Sequence, residues 1–325
     1  MSIPHPTFDD VLRAKEIIRP YLPKTPLLSY PALDALVGAQ VFVKREDIQP
    51  TSAFKIRGGV NILASLSDEE RARGVICAST GNLGQAIAKS SQMFGARCIV
   101  GVPVGCNPMK VAGMHAYGAE VVFHGANFDE ARRHVEMLAD AEGYRYVHSA
   151  NEPLLVSGVA TETLEVLEDV PDLDYLFVPF GGGSGVSGAT IVVKGLGAKT
   201  RVVAVQSAQA AAAYESWRQR SIVELPTTTE AEGLATTSGY ELTLSIILEN
   251  LRDFILVDDA EMRAAVGHYF ALCHCVAEIS GAAALAGALQ WREQIAGKKV
   301  GVILSGANLT VPQMQRILAE REGIS

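Results

Sequence analysis

Lys55 stands in the stretch QPTSAFKIRGG, residues 49–59, where few charged neighbours would keep an ammonium hydrated. Small hydroxylated residues precede it, Phe54 and Ile56 flank it, and Arg57 and two glycines follow. Three uses fit this stretch taken alone: a stem laid on apolar surface with its head in water, a phosphate ligand, or an amine held partly dry and so nucleophilic. A second loop, CASTGNLGQAIA, runs from a strand into a helix. Its Ser79, Thr80, Gly81 and Asn82 offer hydroxyls, a carboxamide and free helix-start amides, a seat for a substrate carboxylate or else an ordinary N-cap. A third, PFGGGSGVSGA, sets Gly181, Gly182, Gly183, Ser184 and Gly185 between a strand and a helix, where backbone N–H groups can converge on phosphate. Gly183, Gly185 and Gly188 also spell G-x-G-x-x-G, which would suit a dinucleotide. That motif expects an acidic residue about twenty positions on, whereas the next strand, RVVAVQS, ends in Gln206 and Ser207. Two late loops complete the set: VILSGANLT, with Ser305 at a strand tip, and CVAEISGAAALAG, with Glu278 before a small-residue helix that must pack closely. Read singly, Glu278 is a solvated or capping carboxylate.

Such loops need elements to hold them. The β-branched runs QVFVK, GVICAS, RCIVGVP, EVVFHG, YRYVHS, YLFVPF, RVVAVQS, FILVDD and KVGVILSG alternate with helical patterns such as NLGQAIAKSSQMFG and FDEARRHVEMLADAEG, the latter closed by a C-cap glycine. Apolar strands separated by helices predict an α/β fold with parallel sheets covered on both faces, the carboxyl-end loops carrying ligands. The 325 residues suffice for two domains. A net charge of −8 and the lack of a Lys/Arg stripe argue against nucleic acid. The start, MSIPHPTFDD, does not read as a leader, and no apolar run reaches membrane length. Five dispersed cysteines fit reduced thiols in a cytoplasm. Cys273 and Cys275 in HYFALCHC are expected on different sides of a helix, which argues against a metal site.

Taken together and in this order, the lysine after TSAF, the S-T-G-N turn, the glycine-rich loop and the late S-G-A-N resemble the fold type II pyridoxal-phosphate enzymes, built like the tryptophan synthase β-subunit. The nearest group is that of the serine/threonine dehydratases and serine racemases, and the resemblance runs from TPLLSYPALDAL to SGANL. It implies two open, mainly parallel twisted sheets with helices on both faces and the cofactor, pyridoxal 5′-phosphate, in the cleft between two domains. Residues 1–69 and 151–325 would form the large one and 70–150 a small mobile one. It further implies that Lys55 forms the Schiff base and moves the α-proton, that Phe54 lies beside the pyridine ring, and that Asn82 bonds its 3′-oxygen. Gly181 to Gly185 would cradle the phosphate, and Ser305 would face the pyridine nitrogen. Ser79, Thr80, Gly81 and Asn82 would hold the substrate. The activity implied is dehydration of a β-hydroxy-α-amino acid to a 2-oxo acid and ammonia, in a cytoplasmic homodimer with no nucleic-acid or membrane partner.

The pattern also departs from that group. Leu83 stands where many relatives have histidine, and Ser149 and Ala150 where many have proline and a bulky residue. Leu83 and Ala150 together suggest a larger, more apolar pocket suited to phenylserine. Gln206 and Ala212 replace the acids of metal-dependent members, so no metal is expected. Glu232, in AEGLA, is a candidate neighbour of the substrate hydroxyl. Thr80 stands where racemases carry a serine acid on the opposite face, so racemase activity is an alternative. A chain ending at LAEREGIS is not expected to carry a regulatory domain. From other classes, a nicotinamide oxidoreductase and a non-catalytic phosphometabolite-binding protein also fit the glycine loop.

Overall fold

The central strands form where β-branched and small apolar residues run without a break, because both faces of those runs are covered. The computed structural model describes residues 3–322; the first two residues of the start read for a leader, and the last three of the chain's ending, lie outside them. Ten strands lie among the described residues: β1 Leu27–Ser29, β2 Gln40–Arg45, β3 Val75–Ala78, β4 Cys98–Val102, β5 Glu120–Phe123, β6 Arg145–Tyr146, β7 Tyr175–Pro179, β8 Arg201–Ser207, β9 Asp253–Val257 and β10 Lys299–Leu304. The larger sheet has the order β1-β2-β10-β7-β8-β9 and the smaller β5-β4-β3-β6. Every pairing is parallel except β1 with β2. The α/β expectation of two mainly parallel sheets is met.

Alternate residues show why the strands are apolar throughout. Val203 and Val205 of β8 enter one core cluster, while Val202 and Ala204 enter another on the opposite face. In the smaller sheet Val75 and Cys77 pack on one side, Ile76 and Ala78 on the other. Each such side chain contributes about 1.5–3 kcal/mol on burial, so the period-2 alternation of a half-exposed strand is absent.

Three helices cross beneath the site. Gly58, on the helix Lys55–Ala64, lies against the helix Pro153–Asp169 so closely that a Cβ on Gly158 would come 2.7 Å from the Gly58 Cα and 2.8 Å from the Arg57 carbonyl oxygen. Gly59 does the same against Asn82–Phe94, where a Cβ would meet the Ala86 carbonyl oxygen at 2.9 Å. The two glycines after Lys55 therefore serve packing, and they fix the start of the helix that carries the lysine. Arg57, immediately before them, is buried and binds two carboxylates, Glu46 through Nε at 2.8 Å and Glu165 through Nη1 at 2.8 Å.

One local expectation changes. The helix Asp259–Cys273 ends at Cys273, and His274 turns left-handed at φ 54°, which folds the Cys275 thiol back against Cys273. Both thiols are buried and free, so the pair sits together and not on different sides of a helix. Among the described residues no helix is long and apolar enough to cross a membrane.

Candidate active site

The loops at the carboxyl ends of β3, β7 and β10 open into one cavity of about 560 Å³. Phe54, Lys55, Ser79, Thr80, Gly81, Asn82, Gly181, Gly182, Gly183, Ser184, Gly185, Glu232 and Ser305 all line it. At its floor the Lys55 ammonium donates to Ser184 Oγ at 2.7 Å and stands 5.0 Å from the centre of the Phe54 ring. Burial pulls the Lys55 amine down from an ordinary 10.5 to about 8, opposed by the charge of Glu162. A lysine so placed holds a substantial neutral, nucleophilic fraction near physiological pH. Phe54 is itself pinned, because its backbone N–H donates to the Ser305 carbonyl at 3.0 Å. Two loops 250 residues apart are thereby held side by side.

On the smaller-sheet side, Ser79 is a turn-builder. Its hydroxyl accepts from the N–H groups of Gly81 and Gly84 at 3.2 and 2.9 Å, and the helix Asn82–Phe94 starts there. Asn82 donates to Glu278 at 2.6 Å and accepts from Asn308 at 2.7 Å, so its side chain is fixed from two directions. Glu278 is 6% exposed and neither solvated nor capping as its sequence context suggested. Burial raises its proton affinity, with Lys110 and Asn82 working against that. Lys110 was not singled out from sequence. It is buried in the cavity wall and forms an ion pair with Glu232, which belongs to the opposite wall.

The glycine-rich loop follows β7. Gly183 has φ 90°, a left-handed conformation that only glycine adopts without strain, and it opens the helix Ser184–Leu196, whose first residues Ser184 and Gly185 line the cavity. A Cβ on Gly181 would come within 2.2 Å of the Gly233 carbonyl oxygen. Gly188 turns away from the cavity into the packing against Ala160, where a Cβ would meet backbone at 2.8 Å. The literal dinucleotide motif is thus split between a loop and a helix contact. At the end of β8, Gln206 is buried and its Oε1 accepts from the Tyr214 N–H at 2.9 Å, while Ala212 lies buried in the next helix. Among the described residues no group of three or more His, Cys, Asp or Glu could hold a metal ion.

The two residues taken to enlarge the pocket part company. Leu83 lines the cavity, but Ala150 is wholly buried behind Gly182, so only Leu83 can touch a bound molecule. Ser149 lines the wall beside it.

A family model described as "Pyridoxal-phosphate dependent enzyme" matches residues 18–306. The chain is 34% identical over 318 residues to the L-threo-3-hydroxyaspartate ammonia-lyase of Saccharomyces cerevisiae, covering 98% of both chains. It is 31% identical to the L-threonine ammonia-lyase of Thermotoga maritima, covering 96% of this chain and 78% of that protein. The solved structure of maize serine racemase superposes with a TM-score of 0.92 at 29% identity, covering 98% of this chain and 99% of the other.

Proposed function

The chain belongs to the pyridoxal-phosphate-dependent enzymes, and from that membership we propose that it is an ammonia-lyase converting β-hydroxy-α-amino acids to a 2-oxo acid and ammonia. One observation carries the reading: a half-buried amine held near 8 at the floor of the cavity, 2.7 Å from the first helical residue after a glycine-rich loop. The residues present fit the cofactor. Lys55 would take its aldehyde, the amides of Gly181 to Gly185 with Ser184 its phosphate, and Phe54, Asn82 and Ser305 its ring. When bound, the cofactor supplies an electron-withdrawing ring that acidifies the substrate's α C–H bond.

The chain's own groups do the rest. The helix-start amides and hydroxyls of Ser79 to Asn82 hold the substrate carboxylate. Lys55, with its amine free, would take the α-proton. Glu232, oriented by Lys110, lies beside the β-hydroxyl, which leaves as water; the enamine left behind hydrolyses to oxo acid and ammonia. Thr80 is a catalytic candidate on the opposite wall. A proton returned from there to the α-carbon would give the inverted amino acid, which is how a racemase would use the same site.

The side chain accepted is the finer proposal. Leu83 offers an apolar contact that would admit phenylserine beside threonine and serine. The Lys110 ammonium on the same cavity favours a second reading, an acidic β-substituent, and the yeast relative is named for 3-hydroxyaspartate. We further propose residues 70–150 as a small mobile domain against 1–69 and 151–325, a homodimer, and a cytoplasmic location. The test is a screen of threonine, serine, 3-hydroxyaspartate and phenylserine with the reconstituted protein, reading 2-oxo acid and the configuration of recovered substrate. Oxo acid from at least one of them is expected. Inverted amino acid with no oxo acid would replace the lyase by a racemase, and neither product would reject both.

A further inference from the structure

Behind the floor of the cavity lies a carboxyl that the proposed reaction does not use. Glu162 sits midway along the helix Pro153–Asp169 and is 1% exposed. Its Oε2 is sealed from solvent without a hydrogen-bond partner. Its Oε1 backs onto the glycine-rich loop: a Cβ on Gly185 would stand 3.6 Å from it and 3.6 Å from the Phe54 ring. The charged groups facing it are Lys44 on β2, Glu46 in the turn after β2, and Lys55 and Arg57 on the helix Lys55–Ala64. Lys44 and Arg57 are already matched by Glu46 and Glu165, two cations against two carboxylates. Glu162 is left facing Lys55, whose ammonium donates to Ser184 instead. Burial, reinforced by the Glu46 charge, holds it protonated well above the usual carboxylate range.

We propose that Glu162 is a proton-linked control on cofactor retention: neutral, it leaves the glycine cradle open to an anion, and ionised, it sets a like charge directly behind that anion. This inference rests on the reading of Gly181 to Gly185 as a phosphate cradle. Coupling between two sites is reciprocal, so a bound phosphate raises the proton affinity of Glu162, and loading at alkaline pH takes up a proton. An ionised Glu162 also favours the ammonium form of Lys55, which cannot attack an aldehyde. The first effect weakens anion binding as pH rises, and the second delays the gain that loss of the Lys55 proton would otherwise bring.

Pyridoxine 5′-phosphate tests this, because it carries the ring and phosphate but no aldehyde for Lys55. Its Kd for the cofactor-free protein is measured by calorimetry between roughly pH 7 and 9.5, where a phosphate monoester with a second pKa of about 6 is already doubly charged. Two buffers of different ionisation heat give the protons taken up. Lys55 titrates in the same window, so three proteins are compared: wild type, Lys55→Met and Glu162→Gln. The expected result is a Kd rising at least about ten-fold with proton uptake in wild type and in Lys55→Met, against a rise of under about three-fold in Glu162→Gln. An unaltered pH dependence in Glu162→Gln overturns the proposal. Should that variant not fold, inorganic phosphate, which has no titrating ring, replaces the probe with Lys55→Met above about pH 8: loss of proton uptake overturns the proposal, and retained uptake supports it. Absence of binding by all three at every pH would overturn the cradle reading and this inference with it.

Discussion

Lys55 carries the sharpest consequences at the scale of single residues. On the proposed reading Lys55→Ala removes both the covalent anchor and the base, so the loaded variant is expected to lack the visible band that borohydride bleaches and to lose essentially all turnover; near-normal turnover would dismiss the assignment. The same amine makes a statement about stability. Its folded value of about 8 lies below the unfolded 10.5, so between those pH values the unfolded chain binds more protons and stability rises with pH. Each unit of such a shift is worth about 1.4 kcal/mol. Cofactor-free Lys55→Met is therefore expected to be more stable than wild type at pH 7, with the gap closing toward pH 10.5; urea midpoints across that range check it, and a constant gap counts against a dry amine. That Lys55 could be such an amine was readable from its neighbours. Lys110 and Glu278 were not, because Lys110 meets a carboxylate 122 residues away and Glu278 an amide 196 residues away. Glu162 carried no local signal at all, since its surroundings come from β2, the turn after it and a second helix.

Elements were more legible than the contacts between them. All nine β-branched runs became strands, the central ones buried on both faces and β5 half exposed, and the glycine closing FDEARRHVEMLADAEG is the left-handed C-cap Gly143. The strand Leu27–Ser29 was missed, being three residues long, antiparallel and half exposed, with no pattern to read. YRYVHS keeps only two residues in its strand: the Val147 N–H still donates to the Ile76 carbonyl at 2.9 Å, but beyond it the His148 ring accepts from the N–H groups of Ala150 and Asn151, which turns the chain. The helix crossing under Lys55 gives a testable case. In Gly158→Ala the added methyl meets backbone at 2.7 and 2.8 Å, which no side-chain rotation relieves. Overpacking of this kind costs roughly 1–3 kcal/mol or more, and here it also pushes on the helix that begins at Lys55. A fall in urea midpoint together with weaker cofactor binding is expected; unchanged cofactor affinity would mean that the lysine's position does not depend on this crossing. At the end of β8, Gln206 and Ala212 offer none of the hard carboxylate oxygens that Mg²⁺ or Ca²⁺ prefers. Turnover is expected to survive a chelator, and restoration by added Mg²⁺ after loss would contradict that.

At the scale of the whole molecule the two sheets face one another across the cavity, and a few polar contacts tie them. Asn82 reaches Glu278 and Asn308, the Tyr117 hydroxyl donates to the Pro50 carbonyl at 2.9 Å, and Lys110 pairs with Glu232. The apolar core behind the smaller sheet does not stop at residue 70 or 150. One cluster joins Ile62, Leu63 and Leu66, strand residues Val75, Cys77 and Val100, and Leu155 and Val159 from the long central helix. A domain that moved freely would have to part that cluster, exposing several large side chains at about 1.5–3 kcal/mol each. Any motion of residues 70–150 should thus be a small rotation that keeps the shared core closed and exchanges only the polar ties at the cavity. Hydrogen exchange distinguishes this from opening of the whole unit. On loading the cofactor and adding alanine, which has no β-leaving group, amides in 79–84, 103–110 and 230–237 are expected to slow several-fold, while those of β3 and β4 remain as protected as in the free protein. Faster exchange throughout β3 and β4 would mean that the shared core parts, and unchanged exchange in the three loops would mean that the lobes do not move on the substrate at all.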